Sequence, residues 1–85
     1  MAATLDLCAV ARKFGEGVTF EIVGQKYKTT IHNVYFKSPA DLKTTYKEPI
    51  MGMGFTIEDS CMDYMRLARG GYLYHILTGH TEVVI

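Results

Sequence analysis

The stretch Arg66–His80, RLARGGYLYHILTGH, contains the pattern that decides the fold. Gly70 and Gly71 follow a segment with helical periodicity, and the alternating segment YLYHIL follows the two glycines directly. Glycines in this place are typical of a helix C-terminus. A phosphate-binding loop needs its glycines before a helix N-terminus, where the backbone amides point outward. The stretch therefore predicts a helix that ends and a hairpin that begins, and it argues against a phosphate site.

The residues on either side of this stretch complete a helix–hairpin unit. Thr56 and Asp59 resemble a capping box at the start of the helix. Apolar residues then recur at helical spacing on one face, at Ile57, Cys61, Tyr64, Met65 and Ala68. Downstream, the turn at Thr78–His80 separates YLYHIL from the apolar segment TEVVI. We expect these two segments to pair as an antiparallel hairpin that reaches the C-terminus.

The N-terminal part of the chain has the same order of elements. Thr4 is the predicted N-cap of a helix that ends at Gly15 and Gly17. The core-facing positions of this helix share helical spacing and are Leu7, Val10, Ala11 and Phe14. The alternating segments VTFEIV (18–23) and KYKTTIHNVYFK (26–37) follow, separated by a tight turn. Apolar positions change parity within the second segment, which predicts a bulge near His32–Asn33.

A shift of 54 residues places the core stripe of the first helix on that of the second and pairs Arg12 with Arg66 and Gly17 with Gly71. We therefore predict an α+β fold made of two αββ units, residues 4–37 and 56–85, within a single domain, 1–85. Their strands are expected to form one antiparallel sheet of four to five strands. The two main helices are expected on one face of that sheet.

The connection between the units, residues 38–55, carries two different signals. Ser38, Pro39 and Pro49 bound a segment that predicts a short helix. The segment IMGMGF (50–55) then has apolar residues alternating with glycines. Glycines weaken a strand, so the sequence leaves open whether these residues form a strand or a mobile loop.

Composition excludes several classes of protein. Nine basic residues balance nine acidic ones, which excludes an acidic DNA mimic and gives no global field toward nucleic acid or an anionic membrane. Cys8 and Cys61 are too few for a disulfide framework and are expected to be reduced. The start of the chain lacks the features of a signal peptide, and no segment has the length of a membrane span. We expect a cytoplasmic protein with no membrane contact.

The polar residues give no strong indication of an enzyme. His75 and His80, with Cys61 or Glu82, lack zinc-site spacing. Asp59 and Asp63 share a helical face, but carboxylates near a helix N-terminus are favoured by the dipole alone. We expect a non-enzymatic protein with no catalytic residues, no metal site and no cofactor.

A protein partner is the leading hypothesis for function. Tyrosine and arginine anchor many interfaces, and methionines on a glycine-rich segment adapt to a docked partner. The residues expected to bind are Tyr72, Tyr74, His75, Arg66, Arg69, Met53 and Phe55. The chain would act as a stoichiometric inhibitor or adaptor, in the size class of phage-carried inhibitors such as anti-CRISPR proteins. The sequence leaves open self-association into a homodimer.

The alternative hypothesis is a small nucleic-acid-binding regulator. Basic and aromatic side chains interleave along Lys26–Lys37, as they do on sheets that bind single strands. The residues in this set are Lys26, Lys28, His32, Tyr35 and Lys37. Lysines on a strand also protect a sheet edge from aggregation, which is the simpler explanation of the same pattern.

Overall fold

Two helices and six strands form the part of the chain described by a computed structural model, residues 2–38 and 49–84. The elements in chain order are α1 (Ala2–Lys13), β1 (Val18–Val23), β2 (Lys26–Ile31), β3 (Val34–Lys37), β4 (Gly52–Gly54), α2 (Ile57–Ala68), β5 (Tyr72–His75) and β6 (Thr81–Val83). The predicted α+β class is confirmed. The short helix predicted after Ser38 falls on residues outside the described ranges.

The strands form two antiparallel sheets of three strands, in the orders β1-β2-β4 and β3-β5-β6. The predicted single sheet is therefore wrong. The reason lies at Asn33, whose φ of 62° interrupts the segment 26–37 between β2 and β3. The parity change that predicted a bulge marks the place where the chain leaves one sheet and enters the other.

Both helices end two residues before a predicted glycine, and they begin in different ways. Gly15 and Gly70 have φ values of 73° and 87°, which a residue with a Cβ atom rarely adopts. Thr56 caps α2, since its hydroxyl accepts a hydrogen bond from the Asp59 amide at 3.0 Å. The predicted cap at Thr4 is wrong, because α1 already begins at Ala2.

The core lies between the two helices and the facing sides of both sheets. Its buried apolar residues are Leu7, Ala11, Phe14, Ile31, Val34, Cys61, Tyr64, Met65, Ala68, Leu73 and Val84. The predicted core stripes of both helices supply most of this set, although Val10 is half-buried and Ile57 is exposed. Both thiols are free, and Cys61 is fully buried.

The glycine-rich segment forms a strand that packs closely against α2. A Cβ atom on Gly52 would lie 2.6 Å from the Tyr64 amide nitrogen, and one on Gly54 would lie 2.6 Å from the Ser60 amide nitrogen. The lack of a side chain at Gly52 and Gly54 therefore allows the backbones of β4 and α2 to lie close to each other. Asp63 completes the contact by accepting a hydrogen bond from the Met53 amide at 2.9 Å. This amide lies on the β4 edge, which Asp63 shields from further strand pairing.

Neither of the two helices within residues 2–38 and 49–84 is long and apolar enough to cross a membrane.

Candidate partner-binding surface

The outer side of the second sheet carries three tyrosines. Leu73 and His75 point into the protein, so the alternation of β5 places Tyr72 and Tyr74 on the opposite side. The register puts Tyr35 opposite Tyr74 and also sets Tyr72 opposite both Lys37 and Val83. We call these five residues the tyrosine face: Tyr35, Lys37, Tyr72, Tyr74 and Val83.

The rings of the tyrosine face form a partly exposed surface on paired strands. The ring centroids of Tyr35 and Tyr74 lie 6.2 Å apart in an edge-to-face arrangement, with the planes at 71°. Burial raises the pKa of Tyr74, and the neighbouring Tyr35 raises it further. The Tyr74 hydroxyl is thus protonated at neutral pH and is able to donate as well as accept a hydrogen bond. Beside these rings Val83 is 57% exposed.

A second feature is an open groove of about 630 Å³ beside α2 and the start of α1. Its apolar lining consists of Ala2, Ala3 and three methionines, Met53, Met62 and Met65. Charged side chains surround them, and these are Asp6, Glu58, Asp59, Asp63, Arg66 and Arg69. We call this the methionine groove. Flexible thioether side chains of this kind adapt to partners of different shape.

Asp63 and Arg66, two neighbouring charged groups of the methionine groove, are paired with each other. The hydrogen bond from the Met53 amide, together with Arg66, holds the pKa of Asp63 below its usual value. Arg66 donates to the Asp63 carboxylate at 2.7 Å. Arg69 is the C-cap residue of α2 and has an exposed side chain, three residues before Tyr72. It connects the groove, along the chain, to the tyrosine face.

His75, predicted as a partner contact, is 4% exposed and lies on the core side of β5. Its Nε2 donates to Glu16 at 2.7 Å, and its Nδ1 lies 3.2 Å from the Thr78 hydroxyl. The hydrogen bond from His75 lowers the pKa of Glu16, so the pair joins the loop after α1 to the second hairpin. Nothing local in the sequence points to Glu16, because its partner is 59 residues away.

Phe55 lies apart from the other predicted contacts. The Phe55 ring is exposed, and the Lys26 ammonium group lies 5.2 Å from its centroid, which is a cation–π distance. Phe55 thus contacts β2 of the first sheet and does not contribute to the tyrosine face. Of the seven residues expected to bind a protein, Tyr72 and Tyr74 lie together on the tyrosine face, and Met53, Arg66 and Arg69 line the methionine groove.

The basic strand predicted for nucleic acid is divided between the two sheets. Lys26 lies over Phe55, Lys28 forms an ion pair with Glu21 at 3.3 Å, and His32 is exposed in the turn between the sheets. Tyr35 and Lys37 lie beyond that turn, on the tyrosine face. The division follows from the left-handed conformation of Asn33.

Sequence reasoning missed Met62 and Val83, although both carried a usable signal. Met62 is an apolar residue on the polar face of α2, and Val83 occupies an outward position of an alternating strand. Exposed apolar residues in such places indicate a contact surface.

Within the described residues no group of three or more histidines, cysteines and acids is arranged to hold a metal ion. The chain matches no protein-family model, no curated protein and no solved structure. Its function therefore has to be inferred from its own surface.

Proposed function

We propose that this chain is a non-enzymatic protein-binding module that acts as a stoichiometric inhibitor or adaptor through its tyrosine face. The observation that carries the proposal is the cross-strand arrangement of Tyr35, Tyr72 and Tyr74 on one side of one sheet. Tyrosine gives a large contact area with few rotatable bonds, and it adds a hydroxyl group for directional hydrogen bonds.

Two neighbouring features support a protein partner. Val83 is exposed beside Tyr72 and extends the apolar part of the face. Arg69 offers a planar cation close to it along the chain, and arginine and tyrosine are both enriched in binding hot spots. We place the methionine groove at the margin of the same interface, where it would receive a side chain of the partner.

The groups around the methionine groove favour binding over catalysis. Asp63 accepts hydrogen bonds from Met53 and Arg66, which lower its pKa and hold it as a carboxylate. A general acid needs the opposite shift, toward neutral pH. That the partner belongs to a defence system against phages, and that the protein works in the cytoplasm, both stay predictions.

The test compares three single variants in a quantitative binding assay. Wild-type protein captures its partner from native lysate, and the affinity is then measured with the purified partner. We expect Tyr72→Ala and Tyr74→Ala to weaken binding by about tenfold or more, in the range of hot-spot residues. Lys28→Ala, on the first sheet, is the matched control and should change affinity by less than about threefold. Circular dichroism checks that all three variants fold.

Nucleic-acid binding is the second candidate, and one contact favours it. Lys37 lies directly opposite Tyr72, so a phosphate-binding cation adjoins a ring on which a base can stack. A single-stranded oligonucleotide bound there would lose affinity steeply with rising salt, and Lys37→Ala would reduce that slope. An apolar protein interface would respond weakly to salt. Two results together would replace the first proposal with the nucleic-acid function. Lys37→Ala would abolish binding of the oligonucleotide, and Tyr72→Ala and Tyr74→Ala would leave the affinity for a protein partner unchanged.

A further inference from the structure

In the part of the chain that the structure describes, the outer edge of β1 is unpaired. Of the described strands, β2 alone pairs with β1. The side chains from Thr19 to Val23 are all exposed, with Ile22 at 70% and Phe20 at 37%. A strand with one paired side presents a row of backbone donors and acceptors along the other.

The β1–β2 register identifies the residues whose backbone groups point outward. The turn between the strands is Gly24–Gln25, with φ of 64° at Gly24, and Val23 is paired with Lys26 across it. In a two-residue hairpin the residues that flank the turn exchange hydrogen bonds with each other, and the pattern then alternates along the strand. The amides and carbonyls of Val18, Phe20 and Ile22 therefore face away from β2.

Several of the usual protections of such an edge are missing from β1, and its one charged residue, Glu21, forms an ion pair with Lys28 of its own sheet. The sequence VTFEIV contains no lysine and no proline, and its pairing with β2 runs through all six residues without a bulge. By contrast, the edge of β4 is protected, because the Asp63 carboxylate accepts a hydrogen bond from the Met53 amide. An exposed edge rich in β-branched and aromatic residues is a template for adding another strand.

We propose that the added strand is β1 of a second copy of this chain, paired antiparallel about a two-fold axis through Phe20. In this register Phe20 faces Phe20 of the second copy, and Val18 faces Ile22. Each of these residues has its free backbone groups turned to the edge, so each facing pair exchanges hydrogen bonds. The sheet β1-β2-β4 of one copy and the same sheet of the second copy then form one continuous sheet of six strands.

The side chains select this register over its nearest alternatives. In β1 the even-numbered residues have free backbone groups, and the backbone groups of the odd-numbered residues are bonded to β2. A register that pairs an even-numbered residue with an odd-numbered one would therefore leave the free groups without partners. An axis through Glu21 would place two carboxylates directly opposite each other, which is destabilising. The axis through Phe20 instead places Glu21 opposite Thr19 of the second copy. It also continues the apolar row of Val18, Phe20 and Ile22 across the interface, as an isologous two-fold contact requires.

Thr19 provides a test that depends on the register itself. Sedimentation equilibrium of the full chain measures the dimer dissociation constant of the wild type, Thr19→Lys and Thr19→Glu. Thr19→Lys sets an opposite charge against Glu21 in both symmetric pairs, and Thr19→Glu sets a like charge there. We expect the lysine variant to dimerise about fivefold more tightly than the wild type, and the glutamate variant about fivefold more weakly.

The matched control is Thr30→Glu, because Thr30 is paired with Thr19 on the inner strand, one position away from the edge. Thr30→Glu makes the same change in net charge as Thr19→Glu. It should leave the dissociation constant within about twofold of the wild type, because a charge one strand further in lies about 10 Å from Glu21 of the second copy, which is about one Debye length. A wild-type chain that stays monomeric at about 0.1 mM, a concentration at which even weak dimers form, overturns the proposal. Equal shifts for Thr19→Lys and Thr19→Glu overturn it as well.

Discussion

Glu58, in the first turn of α2, caps α1 through Thr4. The Glu58 carboxylate accepts hydrogen bonds from the Thr4 hydroxyl at 2.7 Å and from the Thr4 amide at 3.0 Å, and the Ala3 amide adds another at 2.9 Å. One side chain thus satisfies amides at the start of a helix 54 residues earlier in the chain. The two helices are joined where both begin.

This contact makes stability depend on pH. The hydrogen bond from the Thr4 hydroxyl, followed by those from the amides of Thr4 and Ala3, lowers the pKa of Glu58 from 4.5 to about 2. Because the folded-state pKa is depressed, the stabilisation is complete above pH 4.5 and is lost progressively toward pH 2. We expect Glu58→Gln to be less stable than the wild type at pH 7, with the difference shrinking as the pH falls. Urea unfolding at several pH values measures this, with the exposed Glu21→Gln as control; parallel pH profiles for wild type and Glu58→Gln would contradict the expectation.

The second prediction concerns a buried pair of hydroxyls. The Thr29 and Ser60 oxygens lie 2.5 Å apart, and both residues are fully buried. Since the Ser60 hydroxyl donates to the Ile57 carbonyl at 2.7 Å, Thr29 is the donor between the two. Ser60→Ala leaves that buried donor unpaired, which costs about 1–3 kcal/mol of unfolding free energy. In Thr29→Val combined with Ser60→Ala both partners are apolar, so the loss measured by urea unfolding should be smaller than the sum of the single losses. Additive losses would show that the hydroxyls are not coupled.

Gly52 and Gly17 should respond in opposite ways to the same substitution. Gly52→Ala forces a methyl group against the backbone of α2, where the Tyr64 amide nitrogen would lie 2.6 Å from it. Overpacking of this kind costs about 1–3 kcal/mol. A Cβ atom at Gly17 meets nothing within 4 Å, and this glycine has no positive φ, so Gly17→Ala should be neutral or slightly stabilising. Thermal unfolding of the two variants distinguishes them; equal melting temperatures would show that β4 moves away from α2 at little cost.

We expect the Tyr64→Phe variant to be more stable than the wild-type protein. The Tyr64 side chain is fully buried, and within residues 2–38 and 49–84 its hydroxyl oxygen has no hydrogen-bond partner. Burial also raises the pKa of Tyr64 well above its usual value, as expected for a phenol removed from water. Removing an unpaired buried hydroxyl should stabilise the protein by about 1 kcal/mol. Chemical denaturation of Tyr64→Phe measures the change, and a loss of stability would mean that the hydroxyl has a partner in solution.

Local patterns predicted the elements of this fold better than their assembly. Glycines at 15 and 70 marked both helix ends, and periodicity identified most of the buried helical residues. The two-sheet arrangement was missed because the conformation of one residue, Asn33, determines it, and a left-handed residue and a bulge produce the same parity change. The cap on α1 was missed for a different reason. Thr4 is a good local signal, but the acceptor comes from Glu58, far along the chain.

The candidate surface was predictable to a similar extent. Alternation within β5 places Tyr72 and Tyr74 on one side, and the sequence showed this directly. Tyr35 joins them only because β3 pairs with β5, a contact between segments almost forty residues apart. Single-strand patterns carry no information about such a pairing.

The segment from Lys26 to Lys37 belongs to both sheets, as the middle strand β2 of one and the outer strand β3 of the other. Strand β4, which lies in the connection between the two predicted units, pairs with β2 in the first sheet and packs on α2. Each predicted αββ unit thus depends on strands or helices from the other half of the chain. We expect a single cooperative unfolding transition, with amides of β2 and β5 exchanging with solvent at the same free energy of opening. For the same reason a fragment ending at Lys37 should not fold, although it contains a complete helix and hairpin.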